Sequence, residues 1–280
     1  MGWHGRVFMV CPALVMASSG VWAEDGWLTS GRVGVFGTSV MSHGAETSRD
    51  PAIKGTVDST SIKFNLDTEL EWHGGPRSLD QRLQVHYGSV HQAQVGWSEN
   101  ADEIRYDGVG RQILTDPQFL YVGWGLQSVF NGPPPERYAH DPTQVRVSSG
   151  YGLLYENLLP LKDKLEARTG IRSQKSWGPS LGEDQRDIET GPEGYLHYNR
   201  RVNEDLTYQA QYEIFAEFRD LAHVTQLATA GLDLALARHL TLAVSVRAFR
   251  ESRPENRPQR TGYDEWSLRQ ETLLGLTYSW

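Results

Sequence analysis

The sequence has almost no cysteine. Its single cysteine, Cys11, lies close to the start of a chain of 280 residues. A lone cysteine cannot form a disulfide within its own chain, and it cannot supply the several thiolates of a structural zinc site. Residues 24–280 therefore have neither kind of site, and they have no cysteine nucleophile.

Long apolar runs are also missing after residue 23. A membrane-spanning helix needs about 18 to 20 consecutive apolar residues, and no such run occurs there. The mean hydropathy of the chain is −0.50, which is clearly polar. Because lipid cannot hydrogen-bond the backbone, residues 24–280 could cross a membrane only as a closed barrel of strands.

Residues 1–23 have the features of a secretory signal peptide in the expected order. Arg6 stands near the start, Val7–Ala17 is mostly apolar, and Val21-Trp22-Ala23 forms a small-residue cleavage site. We expect cleavage near Ala23. The alternatives are a buried N-terminal helix, which would not need this order of features, and a lipoprotein signal, which Cys11 fits poorly because bulky residues precede it.

The chain has no excess of positive charge. Cleavage near Ala23 removes one arginine and no acid, so 27 basic residues become 26 against 35 acidic residues, a net charge of −9. Because nucleic-acid binding depends on neutralising phosphates with lysine and arginine, this balance argues against a nucleic-acid partner.

Apolar and polar residues alternate through most of residues 24–280. In Ser61–Trp72, apolar side chains such as Ile62 and Phe64 occupy one face, and charged side chains such as Lys63 occupy the other. This period of two is typical of a strand whose faces meet unlike surroundings. A soluble sandwich also alternates, but its strands are seldom twelve residues long.

Twelve segments show this alternation, with edges uncertain by two to four residues. They are Trp27–Met41, Ser61–Trp72, Arg82–Ala93, Glu103–Leu114, Phe119–Phe130, Gln144–Leu158, Lys164–Ser176, Ile188–Val202, Leu206–Phe218, Gln226–Ala237, Leu240–Arg250 and Trp266–Trp280. Short connections alternate with mostly longer ones that are rich in glycine and proline. Residues 24–280 are therefore predicted to form an all-β, antiparallel, up-and-down transmembrane barrel of about twelve strands.

In such barrels the short turns are periplasmic and the longer loops are extracellular, and an even strand number leaves both termini in the periplasm. Prolines fall in the predicted turns and loops, as the missing backbone donor requires. Pro192 is the exception, and it indicates a bulge or a misplaced strand edge.

The final segment resembles the signal by which assembly machinery recognises outer-membrane barrels. Leu274, Leu276, Tyr278 and Trp280 alternate along it, and an aromatic residue stands at the last position. Such a strand presents an apolar edge at the membrane surface before it pairs with the first strand. An ordinary amphipathic strand is the alternative.

Three stretches carry a resemblance to a known family. They are Trp97–Ile104, Tyr208–Phe218 after the turn at Asn203-Glu204-Asp205, and Leu274–Trp280. On these, the chain resembles the YdiY-like, salt-induced outer-membrane proteins, which are known chiefly as domains of unknown function. The resemblance implies a barrel and an outer-membrane location, and it carries over no substrate, cofactor or active site.

If the apolar faces meet lipid, the charged faces line an enclosed lumen. The predicted lumen-lining residues are Lys63, Asp67, Glu69, Glu71, Arg105, Arg111, Arg146, Glu166, Arg168, Arg172, Glu193, Arg201, Glu213, Glu217, Arg247, Arg269 and Glu271. The same alternation adds Arg32, Arg82, His86, Asp107, Glu156, Glu189, His197 and Asp233. Both signs occur in similar number, whereas a charge-selective pore needs an excess of one sign.

No motif of catalysis or metal binding stands out. The chain has no H-E-x-x-H helix, and paired carboxylates such as Glu69 and Glu71 are interpreted as a solvated lumen face. The acidic segments Glu99–Glu103 and Glu183–Asp187 could hold calcium in loops, but a merely solvated loop fits them better. We therefore predict no catalytic residue, no cofactor and no metal ligand.

The leading functional hypothesis is an outer-membrane barrel that acts as a narrow passive channel for small polar solutes or as a structural protein of the envelope. Its expected partners are outer-membrane lipid, lipopolysaccharide and, during insertion, the barrel-assembly machinery. A barrel enzyme acting on outer-leaflet lipid and a soluble periplasmic β-protein are the alternatives.

Overall fold

A computed structural model shows a closed barrel of twelve antiparallel strands. It describes residues 26–50, 52–53, 59–92, 96–130, 139–156, 163–179, 181, 187–252 and 263–280. The strands are β1 (Trp27–His43), β2 (Ser59–Gly74), β3 (Arg77–Gln92), β4 (Gly96–Thr115), β5 (Gln118–Ser128), β6 (Thr143–Glu156), β7 (Asp163–Trp177), β8 (Glu189–Arg201), β9 (Leu206–Glu217), β10 (Asp220–Ala237), β11 (Leu240–Glu251) and β12 (Trp266–Ser279).

Each strand pairs with its neighbours in sequence, and β12 pairs with β1 to close the sheet. The closing ladder is antiparallel and includes Phe36 opposite Gly275 and Val35 opposite Leu276. Closure leaves no strand edge with open hydrogen-bonding groups. The predicted all-β barrel of about twelve strands is confirmed.

The alternation of the sequence becomes the two faces of the barrel wall. On β2, Ile62 and Phe64 are exposed on the outside, while Ser61 and Lys63 are buried inside. The same division runs along β12, where Leu274 and Leu276 face outward and Arg269 and Glu271 face inward. An exterior of large apolar side chains around a charged interior suits a barrel surrounded by lipid.

The strand ends differ most from the sequence interpretation at three places: the turn between β2 and β3, the start of β4, and the start of β10, which lies at Asp220 rather than at Gln226. The predicted turn at His73–Gln81 shrinks to residues 75–76, because Gly75 adopts a φ of +55° that a tight turn needs and that glycine tolerates. The second difference is a correction. Glu99–Glu103 was interpreted as a loop but lies within β4, because the hydrogen-bonded ladder with β3 continues to Gly96.

The connections at the two ends of the barrel have different lengths. At the end where the chain enters β1, they comprise residues 75–76, 116–117, 157–162, 202–205 and 238–239. At the opposite end they comprise residues 44–58, 93–95, 129–142, 178–188, 218–219 and 252–265. The two short connections in the second group, 93–95 and 218–219, follow strands for which the sequence favoured longer loops.

Pro192 lies inside β8, paired with Ile171 of β7. On its other side, the ladder between β8 and β9 begins only at Glu193. Proline cannot donate a backbone hydrogen bond, so it fits where one of the two ladders is interrupted. The strand assignment was therefore sound, and the irregularity lies in the pairing with β9.

Aromatic side chains gather near the end of the barrel where β1 begins and β12 ends. Trp27 and Trp72 pack with ring centroids 6.3 Å apart, and Tyr278 stacks on Trp280 at 6.2 Å. Aromatic girdles of this kind mark the interfaces of membrane barrels. Trp124 is different: it lies in mid-strand on the outer face, over the space that a side chain at Gly108 would fill.

The described residues contain no helix that is long and apolar enough to cross a membrane.

The outer face gives a direct test of which residues meet lipid. Val122, in the middle part of β5, is 53% exposed, and Leu114, one residue from the end of β4, is 51% exposed. We expect Val122→Arg to lower the free energy of unfolding in lipid vesicles by about 2–4 kcal/mol, because a guanidinium near the bilayer midplane is poorly solvated. Leu114→Arg, at the interface, should cost about 0–1 kcal/mol. Equal costs at the two positions would contradict the assigned lipid face.

Candidate functional site

The lumen contains a cavity of about 440 Å³. Most of the predicted lumen residues line it, namely Lys63, Glu69, Glu71, Arg105, Arg111, Arg146, Glu166, Arg168, Arg172, Glu193, Glu213, Arg247, Arg269 and Glu271. They come from β2, β4, β6, β7, β8, β9, β11 and β12. The inward faces of these strands meet because the sheet closes on itself.

Seven predicted residues do not line the cavity: Arg32, Glu156, Glu189 and Asp233 among the additional eight, and three among the first seventeen. Asp67 is paired with Arg82 on the neighbouring strand, Nη2 to Oδ2 at 2.5 Å. Arg201 is exposed at the end of β8, where it donates to the backbone oxygens of Asn203 and Glu204. Glu217 lies at the opposite end of the barrel, against His223. These three side chains therefore contribute to the walls and the ends of the barrel.

One carboxylate, Glu213, is held by three arginines. Arg146 approaches it at 3.1 Å, and Arg105 and Arg172 each approach at 3.4 Å. Asp107 bridges two of these arginines, since Arg105 and Arg146 each lie 2.5 Å from one of its oxygens. Five charged side chains from β4, β6, β7 and β9 thus form a network across one side of the lumen. We name these residues the Glu213 network.

A second network lies nearer the end of the barrel where β1 begins and β12 ends. Arg111 donates to both oxygens of Glu166, at 3.1 and 3.0 Å, and it also contacts Asp80. Arg168 lies 3.2 Å from Glu166 and stacks over Tyr195, 3.8 Å from the ring centroid. Guanidinium groups stacked on aromatic rings remain charged with fewer hydrogen bonds.

The lumen also contains apolar and aromatic side chains that sequence reasoning missed. Phe36, Phe119 and Phe215 are each no more than 3% exposed, and all three lie on inward faces. Arg172 lies over the Phe215 ring, 4.4 Å from its centroid. The signal was present in the sequence: these three phenylalanines stand in the polar register of β1, β5 and β9. Apolar residues in that register indicate a packed part of the lumen.

The connection between β1 and β2 folds into the barrel. We use the term inward loop for its described residues, 44–50 and 52–53. Ile53 is fully buried, and Ser48 and Asp50 are 3% and 2% exposed. A short turn holds this shape, because the backbone N–H of Ile53 donates to the Asp50 carbonyl and that of Ala52 donates to the Asp50 side chain.

Charge explains where the inward loop docks. Arg247 and Arg269 lie directly opposite each other on β11 and β12, an arrangement of like charges that destabilises a strand pair. Arg247 donates to both oxygens of Asp50, at 2.6 and 3.2 Å, and Arg269 donates to the Ala52 carbonyl. The loop therefore supplies the acceptors that this arginine pair needs.

Further contacts fasten the inward loop to the same wall. Arg49 pairs with Glu251 and stacks over Tyr263, 4.4 Å from the ring centroid. The Ser48 hydroxyl lies 2.8 Å from that of Ser267 on β12. Ala52 reaches the cavity lining itself. The inward loop thus narrows the lumen from the end of the barrel where β1 ends and β2 begins.

Some charged residues of the lumen escaped the sequence interpretation. Asp80 was assigned to a turn, Glu103 stood at an uncertain strand edge, and Asp50 lay in one of the longer connections between strands. The first two could have been found by extending β3 and β4. Asp50 gave no signal, because nothing in its neighbourhood shows that the loop turns inward.

The lumen lining is mixed in charge and densely paired. Besides the two networks, Lys63 and Glu271 are joined at 2.8 Å, and Arg269 contacts the same carboxylate. Paired charges cancel each other's field at short range, so the cavity lacks a field of one dominant sign. This lining can accept small polar solutes, but it favours neither cations nor anions strongly.

No protein-family model and no curated protein sequence matches the chain. Among solved structures, it is similar to the NanC porin, with a TM-score of 0.45, 10% identity and coverage of 87% of this chain and 98% of that one. It is also similar to an outer membrane channel from Pseudomonas putida F1, with a TM-score of 0.47, 11% identity and coverage of 91% and 96%.

The outer membrane phospholipase A from Escherichia coli is similar to the same degree, with a TM-score of 0.45, 10% identity and coverage of 88% and 89%. Channels and an enzyme thus resemble this barrel about equally. Likeness at this level carries no argument about function, which depends on the lumen itself.

The Glu213 network should contribute to stability in a measurable way. We expect Glu213→Gln to lower the free energy of unfolding in lipid vesicles by roughly 3 kcal/mol, because the buried Arg172 and the partly buried Arg105 and Arg146 lose their shared counter-charge. Glu204→Gln, in the exposed turn between β8 and β9, is the matched control and should change it by less than about 0.5 kcal/mol. An equally small effect of both substitutions would show that the network is solvated.

Proposed function

We propose that this protein resides in the outer membrane and conducts small polar solutes through a narrow lumen. The observation that carries the proposal is the cavity of about 440 Å³ among charged and polar side chains inside a closed barrel. A barrel with a purely structural role would gain stability from a lumen filled by side chains, as in narrow eight-stranded barrels.

The proposed constriction is the inward loop. Two ion pairs hold the inward loop against the barrel wall: Asp50 pairs with Arg247, and Arg49 pairs with Glu251. Loops are the mobile parts of a barrel, whereas the strands are fixed by continuous ladders. The width of the lumen at this end then depends on whether the loop stays docked.

The proposed location rests on the wall and on the last strand. Leu274, Leu276, Tyr278 and Trp280 face outward with exposures from 40% to 67%. These are the residues in which the sequence resembles the assembly signal of outer-membrane barrels. We include in the proposal that the barrel-assembly machinery recognises this strand, that lipid and lipopolysaccharide surround the wall, and that the barrel is not an enzyme.

Conductance across a planar lipid bilayer tests the channel. We expect the refolded protein to give small discrete conductance steps with weak preference between cations and anions. Asp50→Asn should raise the step size, because Arg247 loses its counter-charge and the inward loop undocks. Asp205→Asn, in the exposed turn at the other end, is the matched control and should leave the step size unchanged.

A disulfide can restore the docked loop. The Ser48 and Ser267 hydroxyls are 2.8 Å apart, so a Ser48→Cys, Ser267→Cys double substitution places two thiols within bonding reach. In the Asp50→Asn background, oxidation should return the step size to that of the unmodified protein, and reduction should reverse it. Persistent silence of both the native protein and Asp50→Asn would defeat the channel proposal in favour of a structural role.

A further inference from the structure

Three titratable side chains from separate strands converge at the barrel end where the inward loop docks. Glu189 begins β8, Glu217 ends β9, and His223 lies near the start of β10. One potential ligand atom from each lies within 4.8 Å of the others. Glu217 and His223 are 5% and 2% exposed. We propose that these three residues bind a divalent transition-metal ion, with zinc as the best fit.

The orientation of the His223 ring is the first reason. Its Nε2 lies 2.7 Å from an oxygen of Glu251, and its Nδ1 lies 3.2 Å from an oxygen of Glu217. A neutral imidazole has one N–H, so donation to Glu251 leaves the Nδ1 lone pair facing a carboxylate. Two acceptors can face each other only with a cation or a proton between them. A metal ion bound to Nδ1 and to Glu217 removes this conflict.

The balance of buried charge is the second reason. Two buried carboxylates, Glu217 and Glu251, contact His223, the half-buried Glu189 lies beside them, and Arg49 pairs with Glu251. Glu189 accepts a hydrogen bond from Gln174, which is neutral, at 2.8 Å. Carboxylates removed from water are stable only with compensating positive charge. A divalent ion at Glu189, Glu217 and His223 supplies it.

The donor set favours zinc over calcium. Calcium takes six to eight oxygen ligands, whereas one imidazole nitrogen with two carboxylate oxygens suits zinc or a neighbouring transition metal. The His223 ring then donates its other N–H to Glu251, and a carboxylate is a usual partner for that N–H of a metal-bound histidine. Because Glu251 also pairs with Arg49, the ion would tie the ends of β8, β9 and β10 to the wall against which the inward loop rests.

Zinc binding to the refolded, full-length barrel in detergent tests this proposal independently of conductance. After dialysis against zinc chloride, elemental analysis and calorimetric titration should give one tightly bound zinc ion per chain and no comparable calcium binding. Glu217→Gln and His223→Gln should each abolish stoichiometric binding. Glu251→Gln, which removes only the supporting carboxylate, should weaken the affinity about 10-fold to 100-fold.

His239→Gln is the matched control, since His239 lies exposed in the turn between β10 and β11, at the opposite end. It should bind zinc like the unsubstituted protein. Heat-modifiable mobility on gels verifies that each variant has folded. If His223→Gln does not fold, Glu189→Gln replaces it and should likewise lose stoichiometric zinc binding. Absence of stoichiometric zinc in the native barrel, or full binding by Glu217→Gln, would overturn the proposal and leave a protonated His223 between two carboxylates.

Discussion

The whole structure depends on one constraint: a backbone surrounded by lipid must satisfy every N–H and C=O within the chain. The pairing of β12 with β1 meets this requirement, because it converts a sheet with two open edges into a wall with none. Once the wall is closed, period-two alternation decides which side chains face outward and which face the lumen. One side of each strand meets hydrocarbon, and the other side is confined to a lumen.

Charged side chains enclosed in the lumen lose contact with water, and the arrangement of the lumen compensates for this loss. Arginines and carboxylates that would be solvated on a soluble protein must find partners inside a narrow barrel. Glu213 does so with three arginines, and Glu166 does so with Arg111 and Arg168. Arg247 finds its counter-charge in the inward loop, at Asp50, and Arg269 contacts Glu271 as well as the Ala52 carbonyl of that loop. The same requirement that braces the walls thus also positions the constriction.

The sequence was sufficient for the parts of this structure that follow from local alternation. The twelve strands of the barrel and the faces of β2 and β12 all follow from a period that is visible in ten to fifteen consecutive residues. The ends of β4 were less predictable, because polar residues continue the ladder there without a clear apolar face. The family resemblance to YdiY-like proteins and the signal peptide remain predictions, and residues 1–25 lie outside the described part of the chain.

The sequence predicts which residues line the lumen, but it does not predict which of them contact one another. Alternation places Arg105, Arg146 and Glu213 on inward faces, yet nothing in the sequence shows that strands β4, β6 and β9 bring them together. The docking of Asp50 on Arg247 joins residues 197 positions apart, and the convergence of Glu189 with Glu217 and His223 joins the start of β8 to the strand ends around the connection between β9 and β10. Such contacts depend on barrel curvature and loop direction, and neither of these has a local signal.

Two adjacent serines provide the most direct measurement of the central claim, that apolar faces meet lipid and charged faces enclose the lumen. Ser148 lines the cavity and Ser149 is exposed on the outer face. Residues 24–280 contain no cysteine, so a spin label can be attached at either position through a single Ser→Cys substitution. In lipid vesicles, we expect the label at 149 to collide mainly with oxygen dissolved in the bilayer and the label at 148 to collide mainly with a water-soluble nickel complex. Equal accessibility at both positions, or the reverse order, would contradict the assigned faces.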